Sequence, residues 1–299
     1  MKLKTRVWIM IGTASLVLVA PYTAQAIGTL DKIAQSGTIT LGYRTTSVPL
    51  SYLDADKQPV GYSIDICLKI VEAVKRELKR SDLTVKFVEV SSVTRMNVLI
   101  AGEIDLECGS SSITAERLKH VSFSTPVFIT VVRMIVREGS GIKSVSNLSG
   151  KRVVITEGTN SEKLFNDLNQ VLSLGATLAL AKDHIESFKM LETESANAYI
   201  NDDVLVYGLR ASAKDSTQFR ITRDALSHLP IAIMLRKDDM AFNKLVDAEV
   251  NRLITQGQMR AIYGKWFELP IPPNQINFNM PLSYMLNEHF KAPGQWQIY

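Results

Sequence analysis

The sequence predicts an α/β protein built from two similar βαβαβ units, each carrying a parallel sheet. Three observations lead there. Apolar, strand-like runs alternate with runs of 3.6-residue periodicity once between Thr38 and Ser112 and again between Lys151 and Asp203. Two further apolar runs, 128–139 and 225–239, flank the second unit and read as paired hinge strands. Residues 27–299 are also too many for one small core, so length alone suggests two domains.

The chain opens MKLKTRVWIMIGTASLVLVAPYTAQA. Lys2, Lys4 and Arg6 precede an apolar run from Val7 to Ala20, and Ala24-Gln25-Ala26 follows. This is the order of a secretory signal peptide over residues 1–26, with an apolar run too short for a comfortable membrane span. An uncleaved anchor is the alternative. Ile27 follows the cleavage site, so no cysteine stands there to carry a lipid. Removing the leader takes away three positive charges and no negative ones, and the formal charge falls from +4 to +1. No basic stripe remains, which argues against nucleic acid as a partner. The two cysteines, Cys67 and Cys108, lie in an exported, oxidising compartment, where one bridge or two buried thiols are both open.

In the first unit, TITLGYR reads as a strand and GYSIDICLKIVEAVKREL as a helix. Ile66, Cys67, Ile70, Val71, Val74 and Leu78 form its apolar face, and Ser63 is the expected N-cap. TVKFVEVSS (strand), TRMNVLIAG (helix) and DLECGSSS (strand) follow. The second unit repeats the order as KRVVITEGT, NSEKLFNDLNQVL, TLALAKD, HIESFKMLETE and NAYINDD. After the second hinge strand, residues 240–267 read as a long helical stretch interrupted near Gly257 that returns to the first lobe, with Trp266 and Phe267 in its core. The proline-rich LPIPPNQINFNM reads as irregular, and LSYMLNEHFKAP as a last helix. The expected division is thus a signal peptide at 1–26, a first lobe at 27–133, a second at 134–231, and the return and tail at 232–299.

Ligands of open α/β sheets lie beyond the carboxyl ends of the strands. In the first unit those ends carry Arg44, then Ser92 and Arg95, then Ser110, Ser112 and Arg117; in the second, Thr159 and Asn160, then His184, then Asp202. Each loop alone reads as solvated or capping, but six in register point to a site. Three arginines on one lobe suit an anionic ligand with two acidic groups, since each guanidinium offers a fixed fork of donors to a carboxylate. Asp202 suits an ammonium.

The segments GTLDKIAQSGTITLGYR, RTTSVPLSYLD, GYSIDICLKIVEAVK, DLECGSSSITAER, RVVITEGTNSEKL, AKDHIESFKMLE, MLRKDD and KWFELPIPP, in this order and spacing, resemble the periplasmic solute-binding proteins for polar amino acids that serve ABC importers. The resemblance is closest to the glutamate/aspartate-binding branch and covers nearly all of the chain after the leader. It implies a two-lobed clamshell joined by two hinge strands, which binds an acidic amino acid in the cleft and delivers it to permease subunits in the inner membrane. It also implies a periplasmic location, a monomer and no cofactor. The positions of Arg44, Ser92 and Arg95 would reach the distal carboxylate, with His184 near it. Ser110 and Ser112 would offer backbone and hydroxyl groups, Arg117 would fork onto the α-carboxylate, Thr159 and Asn160 would close over the ligand, and Asp202 would take the ammonium. The chain departs from the branch at Glu157, where a small residue is usual, leaving that charge near the cleft or in solvent. It departs again at Asn160, where a threonine is usual. A second cysteine in the hinge segment IAIML is lacking, so the branch's disulfide does not carry over and a bridge to Cys67 would stay within the first lobe.

The same clamshell carries enzymes such as cyclohexadienyl dehydratases, for which Glu157 or Asp202 would be the general acid; this is the runner-up reading. A receptor sensor domain would need a membrane span and signalling domain after Tyr299 and is not expected. His120, His184, His228 and His289 show no metal-ligand spacing, LSGK at 148–151 lacks the upstream glycine of a P-loop, and the SxxK at 140–143 lies in a Gly- and Ser-containing turn. No metal is expected.

Overall fold

A computed structural model describes residues 27–293, so the signal-peptide reading of 1–26 lies outside the described residues. The chain forms a two-lobed α/β clamshell. Helix α1 (Thr29–Ser36) ends at Gly37, whose φ of 67° turns the backbone into β1 (Thr38–Tyr43). A small antiparallel sheet follows, β2 (Thr46–Ser47), β3 (Ser51–Leu53) and β4 (Pro59–Val60), and then α2 (Tyr62–Leu78). The predicted apolar face of α2 is buried, but its start differs from expectation. The helix begins two residues earlier than a Ser63 cap requires, with its cap at Gly61, where φ is 137° and a Cβ would sit 2.3 Å from the Leu50 carbonyl oxygen. Ser63 is instead buried inside the first turn and donates to the Gly109 carbonyl at 2.7 Å, tying the helix to the site.

Next come β5 (Thr84–Glu89), α3 (Arg95–Ile100), β6 (Leu106–Glu107), α4 (Ala115–Leu118) and β7 (Val121–Phe123). The first lobe's sheet has the order β5-β1-β6-β14-β7, where β14 (Met234–Arg236) comes from the returning chain; β1 runs parallel to β5 and β6, as a βαβαβ unit requires.

The long strand β8 (Phe128–Arg137) leads into the second lobe: β9 (Arg152–Thr156), α5 (Ser161–Val171), β10 (Thr177–Ala181), α6 (His184–Glu192), β11 (Ala198–Asp202), α7 (Asp203–Ser212) and β12 (Phe219–Ile221). Its sheet is ordered β10-β9-β11-β8-β12, with β9 parallel to β10 and β11. The return passes through β13 (Ser227–Ile231), antiparallel to β8 from Phe128 to Val132, and β14 (Met234–Arg236), which joins the first lobe's sheet. These are the two paired hinge strands expected. Helices α8 (Met240–Thr255) and α9 (Gln258–Phe267) break at Gly257, where φ is 74°. Both pack with α2 in one core that includes Phe242, Val246, Trp266 and Phe267, and α10 (Tyr284–Lys291) adds Leu286 to it. Cys67 on α2 and Cys108 after β6 are bonded, with Cα atoms 6.2 Å apart, so the bridge is internal to the first lobe.

Candidate functional site

All ten sequence-predicted residues lie at the facing ends of the two sheets. Arg44 follows β1, its backbone N–H held by Ser51 Oγ at 2.9 Å and its Nη2 donating to Ser92 Oγ at 2.7 Å. Ser92 sits in the loop after β5, and Arg95 opens α3. Ser110 and Ser112 follow β6; Ser112 forms a bridge to Ile231 at the end of hinge strand β13. Thr114 caps α4 by accepting from the Arg117 N–H at 3.2 Å, which fixes the turn that presents Arg117. The Arg117 side chain donates to the Ser112 carbonyl at 2.8 Å and, across the cleft, to the Gly158 carbonyl at 3.5 Å.

From the second lobe, Thr159 and Asn160 stand half-buried ahead of α5, His184 opens α6, and Asp202 ends β11. The lobes are closed on one another. A Cβ on Gly158 would approach the Ser92 carbonyl oxygen to 2.8 Å, and one on Gly208 the Val48 carbonyl oxygen to 2.5 Å, so two bare backbone positions let the lobes touch. Glu157 is exposed, beside Gly158 at the cleft mouth.

Closure buries every charged group of the site: Arg44 and Arg95 are 2% exposed, Asp202 3% and Arg117 8%. Burial pushes the Arg44 guanidinium down to about 10, with Arg95 adding to the fall and Glu107 opposing it. Arg117 falls to about 9, from burial first and then Arg95, again opposed by Glu107. Burial also lowers Arg95, and all three stay cationic at neutral pH. His184 is held well below its ordinary range by burial and by Arg44 and Arg95, so it is neutral. Asp202 is pushed up to about 7 by burial and by Asp203, against the pull of Arg117 and Arg95. The Ser112 hydroxyl also lowers it, although neither that hydroxyl nor Asp202 Oδ1 reaches a partner in normal hydrogen-bond geometry.

Buried polar atoms are nearly always paired, so the exceptions mark a place. Arg44 Nη1, Arg95 Nε, Ser112 Oγ, His184 Nε2 and Asp202 Oδ1 have no hydrogen-bond partner among the described residues. Donors from the first lobe face an acceptor and a ring nitrogen from the second. That array matches a small molecule with two anionic ends and one cationic group. Size does not locate it: cavities of about 970 Å³ beside α1 and about 380 Å³ behind the hinge exist, and the arginines line neither.

Sequence reasoning missed two sets of residues here. Glu107 is fully buried in β6, where an acidic residue in a short apolar strand was the available signal. The other set holds His184 from beneath. Thr156 Oγ1 lies 2.9 Å from His184 Nδ1, 2.9 Å from the Tyr199 hydroxyl and 2.7 Å from Ser187 Oγ, and Asn201 Nδ2 is 3.1 Å from the same Nδ1. Those contacts join three elements, β9, α6 and β11, and leave no mark in local sequence. Among the described residues no group of His, Cys, Asp and Glu is placed to hold a metal ion.

Residues 39–269 match the family described as bacterial extracellular solute-binding proteins, family 3. A glutamate/aspartate import solute-binding protein of Escherichia coli is 42% identical over 266 residues, covering 89% of this chain and 88% of that protein. An L-glutamate/L-aspartate-binding protein of Pseudomonas aeruginosa is 42% identical over 278 residues, 92% of each. Among solved structures, an ancestral arginine-binding protein bound to arginine superposes with a TM-score of 0.70 at 24% identity, over 77% of this chain and 98% of that one, which shows the shared fold.

Proposed function

The chain belongs to the bacterial extracellular solute-binding proteins of family 3, and we propose that it is the periplasmic substrate-binding component of an ABC importer for an acidic amino acid, glutamate or aspartate. The observation that carries the ligand is charge. Three buried guanidiniums stand against Glu107 and against Asp202, which burial lifts to about 7 and which a bound ammonium draws to its ionised form; with His184 neutral, the occupied cleft then carries one net positive charge. An acidic amino acid, two carboxylates and one ammonium, brings one net negative charge and neutralises it; a neutral amino acid does not.

In this reading Arg117 forks onto the α-carboxylate and Asp202 takes the ammonium with Ser110 and Ser112. Arg44, Arg95 and Ser92 hold the distal carboxylate, His184 contributes near it, and Thr159 and Asn160 cover the ligand. Lobe 1 comprises 27–133 and 232–299 and lobe 2 comprises 134–231. The protein acts as a monomer that offers its closed form to the permease. Binding without turnover is favoured over lyase chemistry because the buried acid a dehydratase needs, Asp202, is the counter-charge for the ammonium.

The test is a thermal-shift screen of the twenty amino acids with purified protein. At one hundred times Kd a ligand adds about 2.7 kcal/mol, a rise of roughly 5–10 °C for a chain of this size. Glutamate or aspartate should give the largest shift. A large shift for a basic amino acid and none for the acidic ones would overturn the reading, and turnover of a prephenate-like substrate would establish the enzyme instead.

A further inference from the structure

β6 is the middle strand of the first lobe's sheet, bonded to β1 on one side and β14 on the other. Such a strand is normally apolar. Glu107 nevertheless sits there fully buried, opposite Gly42 and Met234. One hydrogen bond reaches it, from Ser111 Oγ to Oε2 at 2.6 Å. Oε1 has no hydrogen-bond partner, and no cation lies within ion-pair distance of the carboxylate among the described residues. Gly109 shows where that carboxylate points. A Cβ at residue 109 would stand 2.1 Å from Glu107 Oε1 and 2.9 Å from Arg44 Cγ, so the glycine leaves room for the carboxylate against the stem of a cleft arginine. Glu107 is also the one anionic group that acts on Arg44, Arg95 and Arg117 together, more strongly than Asp202 where both act. Strand packing alone does not call for it, since an apolar residue of the same size would avoid the desolvation of a carboxylate.

We propose that Glu107 is a specificity-determining residue, a buried counter-charge that lowers the positive charge of the arginine cluster by one unit and so tunes the cleft to ligands of one net negative charge. This rests on reading the cleft as the ligand site. Without Glu107 the site would carry one more positive charge, and its preference would move toward more anionic molecules.

The experiment compares wild type with Glu107→Gln, whose amide oxygen still accepts from Ser111, by calorimetry with L-glutamine, L-glutamate and glutarate. Their net charges at neutral pH are 0, −1 and −2. Each ligand charge should add the same increment: glutamine changes less than about threefold, glutamate tightens about tenfold and glutarate about a hundredfold. Equal changes for the three probes, or weakening that grows with ligand charge, would overturn the proposal. Glu107→Met, of similar length and apolar, must show the same dependence on ligand charge and is read if the Gln variant misfolds; if neither folds, Glu107 is a folding residue and the proposal falls. A wild-type preference for glutamine over glutamate would sink the acidic-ligand reading alone, because the dependence on ligand charge in the variants still decides the role of Glu107.

Discussion

Asp202 is where binding and stability oppose each other, and Asp202→Asn separates them. The carboxyl is 3% exposed and burial lifts it to about 7 from an ordinary 3.8. A carboxyl lifted in this way favours its protonated form. Between those two values the closed protein therefore binds more protons than a hydrated reference state, and stability present at low pH is lost as pH rises toward 7. At 1.36 kcal/mol per pH unit, the gap bounds the loss at about 4 kcal/mol. Opening the cleft rehydrates the group and absorbs part of it, so about 1–2 kcal/mol should remain visible in global unfolding. Without ligand, Asp202→Asn should then melt roughly 2–8 °C above wild type at pH 7.5, with the gap closing toward pH 4. Its affinity for an acidic amino acid should fall at least about a hundredfold, because the ammonium loses its counter-charge. Differential scanning calorimetry across pH 4–8 and titration calorimetry measure the two halves. A variant that melts below wild type at pH 7.5, or a gap that does not change with pH, would refute the reasoning.

Arg117→Ala should abolish ligand binding while the ligand-free protein still unfolds in one cooperative step; unchanged affinity by calorimetry means the site is elsewhere. Gly158→Ala places a methyl group 2.8 Å from the Ser92 carbonyl oxygen at a φ of +73°, so it should weaken ligand binding at least about tenfold and leave an open form in solution scattering. Full affinity in that variant would show that the two loops need not touch. The Cys67–Cys108 bridge closes a sequence separation of 41 residues, which chain entropy values at up to about 4 kcal/mol. The double serine variant should lose roughly 2–4 kcal/mol in urea unfolding. Equal midpoints for the oxidised and reduced wild type would show that the bridge adds nothing.

What was legible in the sequence is what local pattern encodes. The strands and helices of both units appear within a few residues of their expected ends, because apolar periodicity is dictated by burial on one face. Polar residues at strand ends marked the ten candidate positions, since topology places those ends on one edge. Misses arose where tertiary contact decided the outcome. Ser63 has the chemistry of an N-cap, but Gly61 alone fits against the Leu50 carbonyl, so the helix starts there and the hydroxyl is used on Gly109. The pairing of Cys67 with Cys108 depends on how α2 lies across β6, which spacing does not state. In the sequence Glu107 is one polar letter in a short strand. Only the sheet order, which makes β6 central, turns it into a buried charge.

The distribution of bonding groups between the lobes explains why such a site can signal occupancy. The first lobe contributes all three guanidiniums, and drawing them into a dry space raises their mutual repulsion as well as their desolvation. The second lobe contributes a carboxyl that resists ionising there and a histidine that has lost its charge. Neither lobe completes the other: across the cleft Arg117 reaches only a backbone carbonyl, at 3.5 Å. A ligand with carboxylates for the first lobe and an ammonium for the second lowers the free energy of the closed state far more than that of the open one. That difference sets how far the equilibrium moves. A molecule that satisfies one lobe alone binds without closing the hinge, however tightly it is held, because it makes the same contacts in both states. On the proposed function, discrimination by a permease would then follow from this division of charge, with the paired strands β8 and β13 joining the lobes as the place where they would turn.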